Sequence, residues 1–310
     1  MNDLPSISLV TPCFNQVSLI DAALRSVLEQ GYPDLEYVVI DGGSSDGSAE
    51  VIASHSDHLA YWVSEPDDGH YPALNKGFVR TSGEVMGYLN GDDTLLPGAL
   101  FTVGSIFRDF PEIDWITGAH LAIDEEGRPV SVDLPAQWSR WHLLSDRTQR
   151  FIPQESTFWR RSLWERSGAR LDDSYSLAAD FELWARFSRS AKLYTVFAPL
   201  GCFRFVAGQR SVAQRDAYMD QVRQIRERER RLTPAGARAT RVATAALAVT
   251  DQIGLRRLRR PVNRALGAPP ELVFDQQAYS FGMTETSTRG AKSRALFERL
   301  ARAGGDGPGR

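Results

Sequence analysis

Apolar residues in the first third of the chain fall in short dense runs, and each run ends in a proline, a glycine-rich turn or a pair of acids. Ile7-Ser8-Leu9-Val10 reads as a buried strand stopped by Thr11-Pro12, since proline cannot donate to a sheet ladder. Leu19, Ala23 and Val27, with Ile20, Leu24 and Leu28 alongside, repeat at helical spacing; Ser18 is placed to cap that helix and Gly31 to end it. Residues 35–40 and 61–63 are the next strands, 73–80 the next helix, and 85–89 a strand bounded by Gly83 and Gly91. A further helix begins near Pro97. Strand and helix alternate through about residue 107, which predicts an α/β fold with a mostly parallel sheet and helices on both faces.

Beyond Pro111 the pattern loosens. Residues 115–123 read as a strand, 124–127 as a hairpin turn, and 129–132 as the returning strand. Another strand is expected at 155–159, and a helix at 161–167 closed by Gly168. Asp180 opens a helix whose Phe181, Trp184 and Phe187 face one way, and Val196, Phe203 and Phe205 mark two closing strands. Residues 214–232 form an arginine-rich helix, and 240–253 an alanine-rich apolar helix too short to span a bilayer. The division expected is a domain at 1–210, with halves at 1–108 and 109–210, then a helical extension at 211–302 and a disordered tail at 303–310.

Composition narrows the class. A 310-residue chain that is 42% hydrophobic and 24% charged is a soluble globular protein, and no run approaches the ~20 apolar residues of a membrane span. Asp3 and Pro5 precede the first strand in place of a signal sequence, and Cys13 and Cys202 are the only cysteines, so a reducing, cytoplasmic setting is expected. The net charge of −3 conceals an asymmetry: twelve arginines against three acids lie between 221 and 264. An acidic body excludes broad nucleic-acid binding. Leu255-Arg256-Arg257-Leu258-Arg259-Arg260 suits the inner membrane surface, an acidic partner, or equally a solvated helix end.

The chemistry gathers at strand ends. Tyr88-Leu89-Asn90-Gly91-Asp92-Asp93 delivers two adjacent carboxylates to the carboxyl edge, where open α/β sheets bind ligands. Like charges side by side call for an offsetting hard cation, although a solvated Asp-Asp turn looks the same in isolation. Asp41 also ends a strand, placed to accept from a base N–H or a ribose hydroxyl; the glycines and serines at 42–48 fit equally a tight turn capped by Ser45 or Asp46. Pro12-Cys13-Phe14-Asn15-Gln16 replaces the glycine fingerprint of a dinucleotide fold. Asp180 reads equally as a helix cap. His55 and His58 have metal-pair spacing without a third ligand. Trp138, Trp141, Trp159 and Trp184 are sugar-stacking candidates or plain core.

Five stretches together resemble the family 2 glycosyltransferases. They are Val10-Thr11-Pro12-Cys13-Phe14-Asn15, the segment at 39–48, Ser64-Glu65-Pro66-Asp67-Asp68-Gly69 with Ala73-Leu74-Asn75-Lys76-Gly77, Leu89-Asn90-Gly91-Asp92-Asp93, and Ala178-Ala179-Asp180-Phe181-Glu182-Leu183-Trp184. Their order and spacing match the family over about residues 6–207.

The resemblance implies a GT-A, Rossmann-like fold and inverting, metal-dependent, non-processive sugar transfer. It places Thr11, Pro12, Phe14, Asn15 and Gly43 around the nucleotide and Asp41 on the base, with His70, Asn75, Lys76 and Asn90 toward the donor. It makes Asp93 the ligand of Mg²⁺ or Mn²⁺, with Asp92 beside it near the ribose, and Asp180 the general base. Pro72 stands where many members carry an aspartate. The partners implied are a UDP-, GDP- or dTDP-linked sugar and a glycan or lipid-linked acceptor in cell-surface polysaccharide or glycolipid synthesis. Peripheral membrane contact through 221–264 and no nucleic acid are expected. Alternatives are a nucleotidyltransferase making the sugar nucleotide, or a non-catalytic nucleotide-sugar-binding scaffold.

Overall fold

The computed structural model describes residues 4–133, 136–146, 151–206, 209, 213–232, 245, 264–265, 267–275, 278 and 280–284. Four parallel strands build the amino-terminal half of one sheet: β1 (Ile7–Cys13), β2 (Leu35–Asp41), β3 (Tyr61–Ser64) and β4 (Val85–Tyr88), in the order β4-β1-β2-β3. On the other flank of β4, β8 (Thr157–Arg160) runs antiparallel and is followed by β6 (Trp115–Ile123) and β9 (Leu193–Arg204), which are parallel to each other. The short β5 (Thr94–Leu95) joins β9, and β7 (Pro129–Val132) hairpins onto β6.

Side chains alternate between two cores, one on each face. Ile7, Leu9, Tyr37, Val39 and Val85 meet α1 (Ile20–Leu28), α2 (Ser48–Ser54) and α4 (Ala99–Asp109). Val10, Val38, Ile40, Met86 and Tyr88 meet α3 (His70–Phe78), α6 (Arg161–Arg166), α7 (Ala179–Phe187) and α8 (Arg215–Leu232). A four-residue helix, α5 (Arg140–Leu143), adds Leu143 to this second core. The expected α/β layering with helices on both faces is present.

Several boundaries differ from the sequence reading, each for a local reason. β1 does not stop at Thr11-Pro12 but pairs with β2 through Thr11↔Val39, Pro12↔Ile40 and Cys13↔Asp41. Its pairing with β4 ends at Val10↔Tyr88, so the nitrogen that cannot donate faces the side β4 has left. Ser18 does not cap α1; the N-cap is Leu19, and Leu19 N and Ile20 N both donate to Gln16 O at 2.9 Å. Neither Ser45 nor Asp46 is the N-cap of α2; Gly47 is, at φ 104°, while Asp46 Oδ1 accepts from Ser48 N at 3.0 Å. α3 begins at His70, three residues early, which puts Pro72 in a first turn where no donor is missed. The two closing strands are the single β9, whose register against β6 shifts between Ala119 and Leu121.

The segment expected to be a helical extension contains a hairpin, β10 (Glu271–Asp275) and β11 (Ser280–Thr284), and β10 extends the sheet beside β9 at Leu272↔Val196. Leu272 is fully buried in the first core, so a strand hides inside an arginine-rich composition. α8 is fastened by Glu229, a buried acid that accepts from Arg140 at 3.0 Å, Arg189 at 2.9 Å and Arg228 at 3.2 Å. The predicted stretches at 240–253 (residue 245 apart), 255–260 and 303–310 lie outside the described residues. Among the described residues no helix is long and apolar enough to cross a membrane.

Candidate active site

The loops after β1 and β2 are stitched together by their own side chains. Asn15 takes φ 52°, a left-handed conformation that asparagine tolerates, and its amide Oδ1 accepts from Ser45 N at 3.0 Å. In return Ser44 Oγ accepts from Asn15 N at 2.8 Å, Ser48 Oγ from Gln16 N at 2.9 Å and Asp46 Oδ2 from Val17 N at 2.9 Å. Asp41 is wholly buried and accepts from Ser44 N at 2.9 Å, Ser44 Oγ at 2.5 Å and Ser64 Oγ at 2.6 Å, so it organises the loop from inside. Gly43, at φ 79°, lies against Pro66, where a Cβ would meet its nitrogen. Thr11 is buried with its hydroxyl 2.9 Å from Tyr37 Oη, and Pro12 is buried too, so neither lines an open pocket. Phe14 does the reverse: its ring is 62% exposed at the rim.

α3 carries the next group. His70 opens the helix with its ring 4.9 Å from Tyr71 and 6.4 Å from Tyr88. The Asn75 amide is engaged within the protein: its Nδ2 donates to Leu171 O at 2.9 Å and its Oδ1 accepts from Leu171 N at 2.8 Å. Lys76 Nζ pairs with Glu65 Oε1 at 2.8 Å in a partly exposed contact.

The two acids after β4 occupy different surroundings. Asp93 is fully buried; Oδ2 accepts from Asn90 Nδ2 at 3.0 Å and Gln154 Nε2 at 2.9 Å, and Oδ1 from Arg204 N at 2.9 Å. Burial, then the charges of Asp92 and Glu155, hold its carboxyl well above the usual range. Asp92 is half-buried, accepts from Gln209 Nε2 at 3.3 Å, and is likewise raised by burial. The aspartate expected to hold the metal is thus the one enclosed by protein donors, and its neighbour is the open one. Three buried amide oxygens with no partner, Asn90 Oδ1, Gln154 Oε1 and Gln209 Oε1, belong to the side chains that donate to these two acids. A carboxylate among unsatisfied oxygens fits a hard divalent cation. No group of three or more His, Cys, Asp or Glu among the described residues forms a complete cage, so such an ion would need oxygens from a ligand. Gln154 and Gln209 carried no signal in the sequence.

Asp180 sits in the first turn of α7 but does not cap it: the N-cap is Ala178, without a side-chain bond. Its Oδ1 accepts from the adjacent Phe181 N at 2.7 Å and lies 3.4 Å from Tyr71 Oη, which also donates to Leu177 O at 2.9 Å. Burial raises its carboxyl to about 6. The Tyr88 hydroxyl, raised by burial, is raised further by the charge of Asp180 and also feels Glu155, so the end of β4 lies between these acids.

The remaining candidates fare differently. His55 Nε2 bonds Asp21 Oδ1 at 2.8 Å, and no third ligand joins His55 and His58 among the described residues. Trp159 and Trp184 are core. Trp138 and Trp141 line a cavity of about 210 Å³ with Trp115, Lys192 and Leu193, at the amino-terminal ends of β6 and β9, opposite the acids. His120, whose Nδ1 lies 3.3 Å from Glu155 Oε1, was not singled out in the sequence because its partner is distant in the chain.

This mixed sheet, flanked by helices on both faces and with an acidic turn at the carboxyl edge, is an α/β fold of the GT-A type. Residues 8–156, just under half of the chain, match the profile of glycosyl transferase family 2, the family that the chain resembles. A Campylobacter jejuni relative, GalNAc(5)-diNAcBac-PP-undecaprenol beta-1,3-glucosyltransferase, is 34% identical over 104 residues, 32% of this chain and 34% of its own length. An uncharacterized glycosyltransferase of Mycobacterium tuberculosis is 36% identical over 94 residues, 30% of this chain and 36% of its own. The chain thus spans about a third of these relatives' lengths. Among solved structures, S. aureus TarS with UDP-GlcNAc superposes with TM-score 0.54 at 15% identity, covering 67% of this chain and 61% of that one. The Pyrobaculum calidifontis mannosyltransferase PcManGT, in complex with GDP-Man and Mn²⁺, gives 0.50 at 17% identity, covering 86% and 84%.

Proposed function

We propose that this chain transfers a sugar from a UDP-, GDP- or dTDP-linked donor to a hydroxyl of a glycan or lipid-linked acceptor, in one inverting displacement. The observation that carries this reading is two half-buried carboxylates at the end of β4: Asp92, bonded to Gln209 whose amide oxygen has no partner, and Asp180, raised by burial, whose charge reaches the Tyr88 hydroxyl. Asp180 is the general base. A carboxylate raised to about 6 is ionised at neutral pH yet basic enough to take a hydroxyl proton as the new bond forms. One base opposite the leaving group, with no covalent intermediate, inverts configuration.

The donor's base stacks on the exposed Phe14 ring, and the stitched loops of Asn15, Asp41 and Gly43 hold that rim in place. Lys76 is available to the donor phosphates, because an exposed pair such as Lys76–Glu65 contributes little and is readily exchanged. A Mg²⁺ or Mn²⁺ ion held by Asp92 would stabilise negative charge on the departing diphosphate. Asp93 and Asn90 fix the shape of the turn instead of contacting the ion. The setting is cell-surface polysaccharide or glycolipid synthesis at the cytoplasmic face, with peripheral membrane contact through the basic run Leu255-Arg256-Arg257-Leu258-Arg259-Arg260 within 221–264.

The test is incubation with UDP-, GDP- and dTDP-sugars and Mn²⁺. Nucleoside diphosphate is the expected product. Pyrophosphate would mean nucleotidyl transfer, and donor binding without turnover on any acceptor would mean a scaffold.

A further inference from the structure

β9 ends in an aromatic patch that the scheme above leaves unused. Phe205 follows its last residue and is 44% exposed, a large apolar ring turned to solvent. The Phe203 ring packs edge-on against it at 5.2 Å, and the His120 ring lies 5.9 Å from Phe203. Behind His120, its Nδ1 is 3.3 Å from Oε1 of the buried Glu155. Between the two phenylalanines, Arg204 ties this patch to the acidic turn: its N donates to Asp93 Oδ1 and its Nε to Asp92 O, both at 2.9 Å. Its Nη1 also donates to the carbonyls of Asp124 and Glu125 at 3.0 Å, so the strand end is held on two sides. The Phe205 ring is therefore exposed, the Phe203 ring half-buried behind it, and each is one residue from the backbone that anchors Asp93.

We propose that Phe203, Phe205 and the His120–Glu155 pair form the subsite for a pyranose ring of the acceptor, an inference that rests on the transferase reading. A pyranose presents an apolar C–H face and a rim of hydroxyls. An open aromatic face matches the first, and an imidazole–carboxylate pair can donate to and accept from the second. Sheet order selects the acceptor over the donor. The nucleotide rim lies on β1 and β2, on one side of the β4 turn, whereas this patch lies on β6 and β9, on the other side. A sugar here reaches the Asp92 region from the flank that the nucleotide does not occupy.

The test is saturation-transfer NMR on the full chain with UDP and Mn²⁺, using methyl and octyl β-pyranosides of glucose, galactose, N-acetylglucosamine and N-acetylgalactosamine. Ring protons of at least one methyl pyranoside should be saturated. Phe205→Ala should weaken that pyranoside about tenfold, and Phe205→Trp should restore it, while the affinity for UDP moves by less than about twofold. Unchanged pyranoside binding in Phe205→Ala overturns the assignment. So does saturation confined to the octyl chain, which would make the patch a lipid contact, or no pyranoside binding at all. Nucleoside diphosphate release by the unaltered protein is scored separately, so loss of the transferase reading is distinguishable from loss of this subsite.

Discussion

Asp92 and Asp93 are adjacent in the chain, yet Asp93 is fully buried and accepts from three protein donors while Asp92 retains exposed surface. Substitution should separate the two. Asp93→Ala leaves the donors of Asn90, Gln154 and Arg204 buried without an acceptor, and stability should fall by about 2–4 kcal/mol in urea unfolding. Asp92→Ala should unfold near the unaltered midpoint but lose the Mn²⁺-dependent thermal shift produced with UDP. A stable Asp93→Ala protein that alone lost the Mn²⁺ response would reverse the assignment.

As the proposed base, Asp180 should couple activity and stability to pH in opposite senses. Its folded carboxyl titrates at about 6 against an ordinary value of 3.8, so between those values the fold holds a proton that the unfolded chain has released. The stabilising contribution is complete below the unfolded value and lost as pH rises through about 6. The transfer rate moves the other way and should rise with pH through about 6, as the base ionises. Asp180→Asn should lower transfer by about 10²–10⁴-fold with donor affinity kept. At neutral pH the same variant should melt higher than the unaltered protein, a gain that vanishes below the unfolded value. A lower melting temperature at neutral pH would contradict the burial argument.

Tyr71 should position the proposed base. Its hydroxyl, 3.4 Å from Asp180 Oδ1, favours the ionised carboxylate and so opposes the upward push of burial. Tyr71→Phe should move the acidic limb of the rate profile to higher pH. It should also cost about 0.5–1.5 kcal/mol of stability, because Leu177 O loses its 2.9 Å donor. An unmoved acidic limb with the same stability loss would make Tyr71 purely structural.

What the sequence made readable was periodicity. The strand at Trp115–Ile123 and its return at Pro129–Val132 were legible because the turn between them carries its own signal. What it hid was set by distant neighbours. Pro12 continues β1 only because β4 has already left that flank, and Asn75 clamps Leu171, a residue 96 positions away. The difference between Asp92 and Asp93 depends on Gln154, Arg204 and Gln209, which no local pattern connects to the turn. Leu272 reads as part of a basic tail until its pairing with Val196 is known.

Glu229 gives α8 its attachment. Burial pushes its carboxyl up, but hydrogen bonds and charge from Arg189 and Arg140 outweigh that and hold it below the usual 4.5. Its contribution is present above that value and lost as pH falls through the lowered one. Glu229→Gln should cost about 2–4 kcal/mol near neutral pH, less than a wholly buried pair because Arg189 and Arg228 are partly exposed. The deficit should shrink in acid. A variant equally destabilised at every pH would owe its loss to packing.

Nine of the twelve arginines between 221 and 264 fall in two clusters, five on α8 and four at 256–260. On α8, Arg226 donates to Leu143 O at 3.1 Å, Arg228 to Glu182 at 2.5 Å and Arg230 to Asp146 at 2.6 Å, while Arg223 and Arg231 pair with Asp220 and Glu227 on their own helix. These charges are met by acids or carbonyls of the fold, so α8 offers little net attraction to an anionic surface. Any hold on lipid should therefore come from Arg256, Arg257, Arg259 and Arg260, each worth about 1 kcal/mol near an anionic bilayer. In the full chain, R256E/R257E/R259E/R260E should abolish flotation with phosphatidylglycerol vesicles, and raised salt should do the same to the unaltered protein. Arg223→Glu, which alters an exposed pair on α8, should float as before. Equal flotation of the fourfold variant would place the contact elsewhere, and flotation lost with Arg223→Glu alone would return it to α8.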